Sequence, residues 1–196
     1  MSMMCIKNQL IGFWIIVFLF NVPLQNGVCG TPPKRGDMLP EIILDAPVSK
    51  KDSVYLGIGE KTRFSMKDVA ADLIVLEILG VYCPQCHRQR PHINRLFHRL
   101  NKNAGLSKKV KFLGISAGAT PMEMAYYVKQ SRVPYPVLPD EKFLVHKQLN
   151  QPLTPYNMVI TKEGQILYAH LGVIEDMDAL FTTLKQLAGK TSSISK

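Results

Sequence analysis

Residues 73–79 read Leu-Ile-Val-Leu-Glu-Ile-Leu. All but Glu77 are large and apolar, and they fall on both alternating sides. A strand carries such a pattern only when both faces of its sheet are covered. That places it in the middle of a layered α/β domain rather than in a half-exposed sheet or a helical bundle. Gly80 interrupts the run, and Ile93, Leu96, Phe97 and Leu100 then recur at i, i+3, i+4 and i+7 of a helix. Pro91 lies inside that helix and is expected to kink it. The junction between strand and helix holds Cys83-Pro84-Gln85-Cys86.

The remaining elements are read around this junction. Residues 42–44, 54–58 and 63–65 are predicted as short strands, with Gly57, Gly59 and Glu60-Lys61 as a turn. Residues 110–116 repeat the buried-strand pattern. Thr120-Pro121-Met122-Glu123 is a capping box with proline at the first helical position, so a helix runs from there to about residue 132. A short strand at 135–138 and a short helix at 141–149 follow. Residues 158–161 and 165–171 flank Glu163-Gly164 as a hairpin, and a last helix spans 176–188. Strands alternating with helices imply parallel crossovers, and the closing hairpin adds antiparallel strands. The expected fold class is α/β, with a mixed central sheet and helices on both faces.

The first thirty residues stand apart from this domain. Lys7 is the only charge before Lys34, and residues 10–20 are apolar throughout apart from Gly12. Eleven residues are too few for a helix to cross ~30 Å of hydrocarbon, which takes about 20, but they suit the apolar region of a secretory signal. Val28-Cys29-Gly30 offers a cleavage site, with a mature start near Thr31. The competing reading is an uncleaved membrane anchor over residues 10–24; an acylated Cys29 fits less well, given Asn26 and Val28. The expected organisation is a signal peptide or anchor at 1–30, a linker at 31–40, a domain at 41–189 and a polar, flexible tail at 190–196. Localisation is then periplasmic or otherwise exported.

Cleavage removes Cys5 and Cys29 and leaves Cys83 and Cys86 as the cysteine inventory. Two cysteines three residues apart, in an oxidising compartment, read as a redox pair rather than a structural framework. Without Lys7 the chain carries 23 basic and 15 acidic residues, a net +8. That charge suits solubility and acidic partner surfaces; no motif for nucleic acid accompanies it.

The pairing of a strand end, Cys-x-x-Cys and a helix start has a chemical reason. Cys83 would cap the helix, where unpaired N–H groups and the macrodipole favour a thiolate. Pro84 has no N–H to leave unsatisfied in the first turn. His87, Arg88 and Arg90 follow, and together these features should hold Cys83 below the usual thiol pKa of about 8.5. Cys83 is thus the expected nucleophile and Cys86 the resolving thiol. Glu77 is a carboxylate in an apolar strand, costly unless neutral or paired. Burial would raise its pKa and suit it to proton transfer; the alternative is a strand-end residue reaching solvent or a lysine.

These residues resemble the thioredoxin superfamily, in particular its exported TlpA-like thiol–disulfide oxidoreductases. The resemblance runs from Gly36-Asp37-Met38-Leu39-Pro40 through the final helix. Its marks are Val81-Tyr82-Cys83-Pro84-Gln85-Cys86 and Thr154-Pro155 before the strand at 158–161. The resemblance implies a thioredoxin-like fold and reduction of disulfides in exported protein partners, as in cytochrome c maturation. It implies a thiol electron donor, which could be membrane-bound, and no cofactor or metal. It assigns Glu77 to proton exchange with Cys86, and Tyr82, Pro84, Thr154 and Pro155 to substrate contact. The Thr154-Pro155 bond would be cis, a state that about 5–6% of X-Pro bonds adopt. Two departures stand out: Tyr82 replaces the usual tryptophan, and Gln89 occupies a position where these reductases often carry glutamate.

Three rival readings remain. Cys83 to His87 spells C-x-x-C-H, which also attaches c-type haem, although a buried strand leading into it leaves no room for the group. A peroxiredoxin would carry threonine where Gly80 stands. A metal-binding protein could use both cysteines and His87, but structural zinc takes four ligands, and His92, His98, His146 and His170 show no ligand spacing.

Overall fold

The computed structural model describes residues 31–194, so the signal or anchor segment, with Cys5 and Cys29, lies outside the described residues. A small antiparallel pair comes first: β1 (Leu44–Asp45), α1 (Lys50–Leu56) and β2 (Arg63–Phe64). The main sheet then forms from β3 (Leu73–Leu79), β4 (Val110–Ala117), β5 (Val137–Asp140), β6 (Tyr156–Thr161) and β7 (Ile166–Leu171). Between and after them lie α2 (Pro84–Asn101), α3 (Ala104–Lys109), α4 (Pro121–Gln130), α5 (Leu144–Gln148) and α6 (Met177–Ile194).

The strand order is β5-β4-β3-β6-β7. β3 and β4, and β4 and β5, pair parallel, while β6 is antiparallel to both β3 and β7. The central place of β3 matches its apolar pattern: every residue from Leu73 to Leu79 is buried. Its alternate side chains feed two cores. Ile74, Leu76 and Ile78 pack with Leu56, Phe64, Leu113, Ile115 and Met158 on one face. Leu73, Val75 and Leu79 pack with Ile93, Leu96, Leu100 of α2 and Leu180, Leu184 of α6 on the other.

Beyond shifted boundaries, the structure departs from the sequence reading at three places. Residues 54–58 are not a strand; α1 takes up residues 54–56 and its cap follows at Gly57. Ser49 caps it by accepting from the Asp52 amide, and Gly57 ends it in the left-handed region (φ 70°), its N–H bonded to the Ser53 and Val54 carbonyls. A five-residue apolar run cannot reveal which periodicity applies, and these two caps decide it. α3 was not expected; Asn103 nucleates it by accepting from the Gly105 and Leu106 amides. The last helix does not stop at Ala188 but continues to Ile194, since a lone glycine costs a helix about 1 kcal/mol without ending it. α2 runs as one helix through Pro91. Among the described residues no helix is long and apolar enough to cross a membrane.

Candidate active site

The site assembles where β3 ends and α2 begins. Cys83 is the N-cap of α2, in extended conformation (φ −79°, ψ 116°), and its sulfur accepts from the Cys86 amide at 3.4 Å. Pro84 occupies the first helical turn. Both cysteines are free thiols; Cys83 is partly exposed and Cys86 fully buried. Gly80 accommodates them. Its N–H points at Cys86 Sγ, 3.4 Å away. A Cβ there would stand 3.2 Å from Cys83 Cβ and 3.3 Å from Thr154 Oγ1, so any larger residue at this junction would press on both.

The Thr154-Pro155 peptide is cis and leads directly into β6. It brings Thr154 beside Cys83, whose Sγ donates to the Thr154 carbonyl at 3.2 Å. Tyr82, the residue before Cys83, is 77% exposed. Its hydroxyl donates to Glu123 Oε1 at 2.6 Å, and Glu123 in turn closes the Thr120 capping box of α4.

The two sulfurs sit in opposite electrostatic settings. Burial works against the Cys83 thiolate, but hydrogen bonds from the Thr154 side chain, from Cys86 and from the Cys86 and Gln85 amides outweigh it and hold the thiol below its ordinary value. Burial pushes Cys86 up to about 12, against the Gly80 amide, which favours the anion. The basic side chains expected around Cys83 are engaged elsewhere. His87 Nε2 donates to the Val81 carbonyl at 2.8 Å, and its ring lies edge-on to Tyr127. Arg88 reaches toward Glu175 at the surface, and Arg90 is buried.

Glu77 neither reaches solvent nor meets a lysine. It is 1% exposed and forms an ion pair with Arg90 at 2.8 Å. Tyr135 donates to the same carboxylate oxygen at 2.7 Å, and Gln89 approaches the other at 3.4 Å. Arg90 also donates to Tyr127 at 3.0 Å and to the Tyr135 hydroxyl, and Gln89 accepts from the Ile174 amide at 2.9 Å. Sequence reasoning missed this cluster. The signal was present: the apolar stripe of α2, extended one turn backward from Ile93, lands on Gln89 and Arg90. His92, His98, His146 and His170 do not gather; among the described residues no group of three or more metal-ligating side chains forms.

The AhpC/TSA family matches residues 36–169, about two-thirds of the chain and a stretch that contains Cys83, Cys86, Glu77 and Thr154-Pro155. The chain belongs to this family. Among its relatives, the thiol-disulfide oxidoreductase ResA of Bacillus cereus is 23% identical over 161 residues, which span 82% of this chain and 87% of that protein. Solved structures share the fold. A protein from Chlorobium tepidum assigned as the thiol:disulfide interchange protein DsbE superposes with a TM-score of 0.58 at 17% identity, over 82% of this chain and 99% of that one. A secreted Mycobacterium tuberculosis disulfide oxidoreductase gives 0.53 at 17% identity, over 64% and 89%. The thioredoxin-like fold of this AhpC/TSA member is thereby shown.

Proposed function

We propose that the protein is an exported thiol–disulfide oxidoreductase that reduces disulfides in protein partners through Cys83 and Cys86. The observation that carries this reading is the division of labour between the two sulfurs. One is accessible, hydrogen-bonded and more acidic than an ordinary thiol; the other is buried one helical turn away and less acidic. Thiolate is the attacking species in disulfide exchange. Cys83 therefore attacks a partner disulfide, forming a mixed disulfide and releasing one partner thiolate. Cys86 then loses its proton, attacks Cys83 Sγ and displaces the second partner thiolate. The partner ends two electrons reduced, and Cys83–Cys86 ends as a disulfide. A thiol donor returns the two electrons; the uncleaved form of the N-terminal segment would allow that donor to be met at a membrane.

Substrate contact falls to the residues that border Cys83. Thr154 presents backbone beside the sulfur and Pro155 holds that backbone in place. Pro84 and Tyr82 form the other rim. An apolar cavity of about 470 Å³ opens behind Tyr82, lined by Val81, His87, Met122, Tyr126 and Tyr127. It suits an apolar side chain flanking the target cysteine. Glu77 acts within the site as the buried carboxylate bonded to Gln89 and Arg90, one helical turn after Cys86. Export is supported by residues 10–20 and by the secreted relative in structure. Conversion by the Cys-Pro-Gln-Cys pair is tested by insulin reduction with a thiol donor. Cys83→Ser should abolish turnover, and Cys86→Ser should accumulate a mixed disulfide with the partner. Retained turnover in Cys83→Ser would remove the assignment.

A further inference from the structure

Asn157 is a buried polar side chain with no role in the account so far. It is 1% exposed, and neither its carboxamide oxygen nor its nitrogen has a hydrogen-bond partner. Buried polar groups are nearly always satisfied by protein or by ordered water, so each exception asks for a reason.

Its place in the sheet supplies one. Asn157 on β6 lies directly opposite Glu77 on β3 and directly opposite His170 on β7. Residues paired in this way share a sheet face, so the three form a polar row from the sheet centre to its edge. The next row on that face is Val75, Val159 and Tyr168. From α2 above, Gln89 links the two ends of the row, bonding Glu77 at one end and the Ile174 amide beyond β7 at the other. Gln89 and Arg90 follow Cys86 by three and four residues, which puts all three on one side of the helix. The resolving thiol is thus one helical turn from the two side chains that bond Glu77.

That thiol has to part with a proton while fully buried. Three donors already occupy the Glu77 oxygens: Arg90, Tyr135 and Gln89. Tyr127 adds to the cluster through Arg90. The partly exposed end of the row is His170, whose Nε2 meets the Val173 carbonyl at 3.0 Å and whose ring stacks on Tyr168. A buried water needs two to four polar partners; the Asn157 carboxamide supplies two unpartnered atoms, directly across the strand pair from Glu77.

We propose that Asn157 is a positioning residue for the resolving step: it anchors a buried water between Glu77 and His170, along which the Cys86 proton leaves toward solvent. The proposal rests on the redox reading above. In the step concerned, the Cys86 S–H bond breaks and its proton passes to the water at Asn157 and on to solvent. The Cys86 sulfur bonds Cys83 Sγ, and the Cys83–partner bond breaks with its electron pair on the departing thiolate.

Stopped-flow reaction of the reduced protein with dithiobis(nitrobenzoate) separates the two steps. One equivalent of coloured thiolate marks attack by Cys83, and the second marks resolution by Cys86. Asn157→Leu should slow the second phase by about a hundredfold and displace its pH dependence upward. The first phase should keep its rate, and the thermal midpoint should not fall, because an unpartnered amide has been replaced by an apolar group. Asn157→Ser, which keeps a hydroxyl and room for water, should recover most of the second phase. A second phase in Asn157→Leu with wild-type rate and pH dependence overturns the proposal, as does equal slowing of both phases. Should Asn157→Leu fail to fold, a high-resolution crystal structure of the wild-type protein decides. Water on the Asn157 carboxamide supports the proposal, and a dry contact overturns it. Wild-type protein that gives no second phase removes the redox reading itself, and the proposal with it.

Discussion

At the scale of single residues, the chemistry reduces to where two thiols keep their protons. Cys83 is held below the ordinary thiol value by donors that converge from Thr154, Cys86 and the helix start, and Cys86 is pushed up to about 12 by burial. Alkylation of the reduced protein across pH should therefore show Cys83 reacting with a midpoint below that of a free thiol, near 8.5. Cys86 should stay protected until the protein unfolds. Equal reactivity at neutral pH would contradict this. The same asymmetry predicts a stability effect. The folded state holds the Cys86 proton more tightly than the unfolded chain does. Raising the pH above the unfolded value of about 8.5 therefore favours unfolding, by about 1.4 kcal/mol per pH unit, until the folded thiol titrates near about 12. Urea denaturation of reduced wild-type and Cys86→Ala between neutral and alkaline pH should show the wild type losing stability more steeply. The cysteines were fully legible in the sequence, because strand, Cys-x-x-Cys and helix follow one another along the chain. The cause of the acidity of Cys83 was not. His87, Arg88 and Arg90 are near it in sequence, but their side chains go to the Val81 carbonyl, to Glu175 and to Glu77.

At the scale of elements, short caps and one buried ion pair determine what packs where. Gly57 ends α1 in the left-handed region, and a Cβ there would stand 2.4 Å from Ala70 Cβ. Gly57→Ala should therefore cost about 1–3 kcal/mol, measurable as a shift of the urea midpoint at unchanged slope; a neutral outcome would mean that α1 ends otherwise. Arg90 joins three elements by bonding Glu77 of β3, Tyr127 of α4 and Tyr135 ahead of β5. Replacing it with methionine leaves Glu77 buried without its partner charge, a loss of about 3–5 kcal/mol. The Glu77→Leu, Arg90→Met pair should recover much of that loss in the same denaturation assay. β3 and β4 were read from sequence almost to the residue because both faces are apolar, a pattern that short helices do not produce. α1 and α3 escaped because six or seven residues hold too little periodicity; their caps, Ser49, Gly57 and Asn103, were the readable signal. The Arg90 cluster depends on contacts between residues 13 to 58 positions apart, which no local pattern encodes.

At the scale of the molecule, the sheet order places the chemistry at the end of its central strand. β3 delivers Gly80 and the cysteine pair, β6 delivers Thr154-Pro155 from the neighbouring position, and α4 delivers Glu123 to Tyr82 from the far side. Two distant chain segments thus meet at one sulfur and a third holds its neighbour Tyr82, which a residue-by-residue reading of the sequence could anticipate only through resemblance. Membership of the AhpC/TSA family and the thioredoxin-like fold agree with that arrangement. The account stands on the ability of the two thiols to exchange reversibly between free and bridged forms. The direct test equilibrates the protein in glutathione buffers of graded potential, then tags free thiols with a mass label. Cys83 and Cys86 should lose both labels together, as one two-electron couple, with a midpoint between roughly −270 and −120 mV. Two labels retained at every potential, or labels lost independently, would contradict the claim.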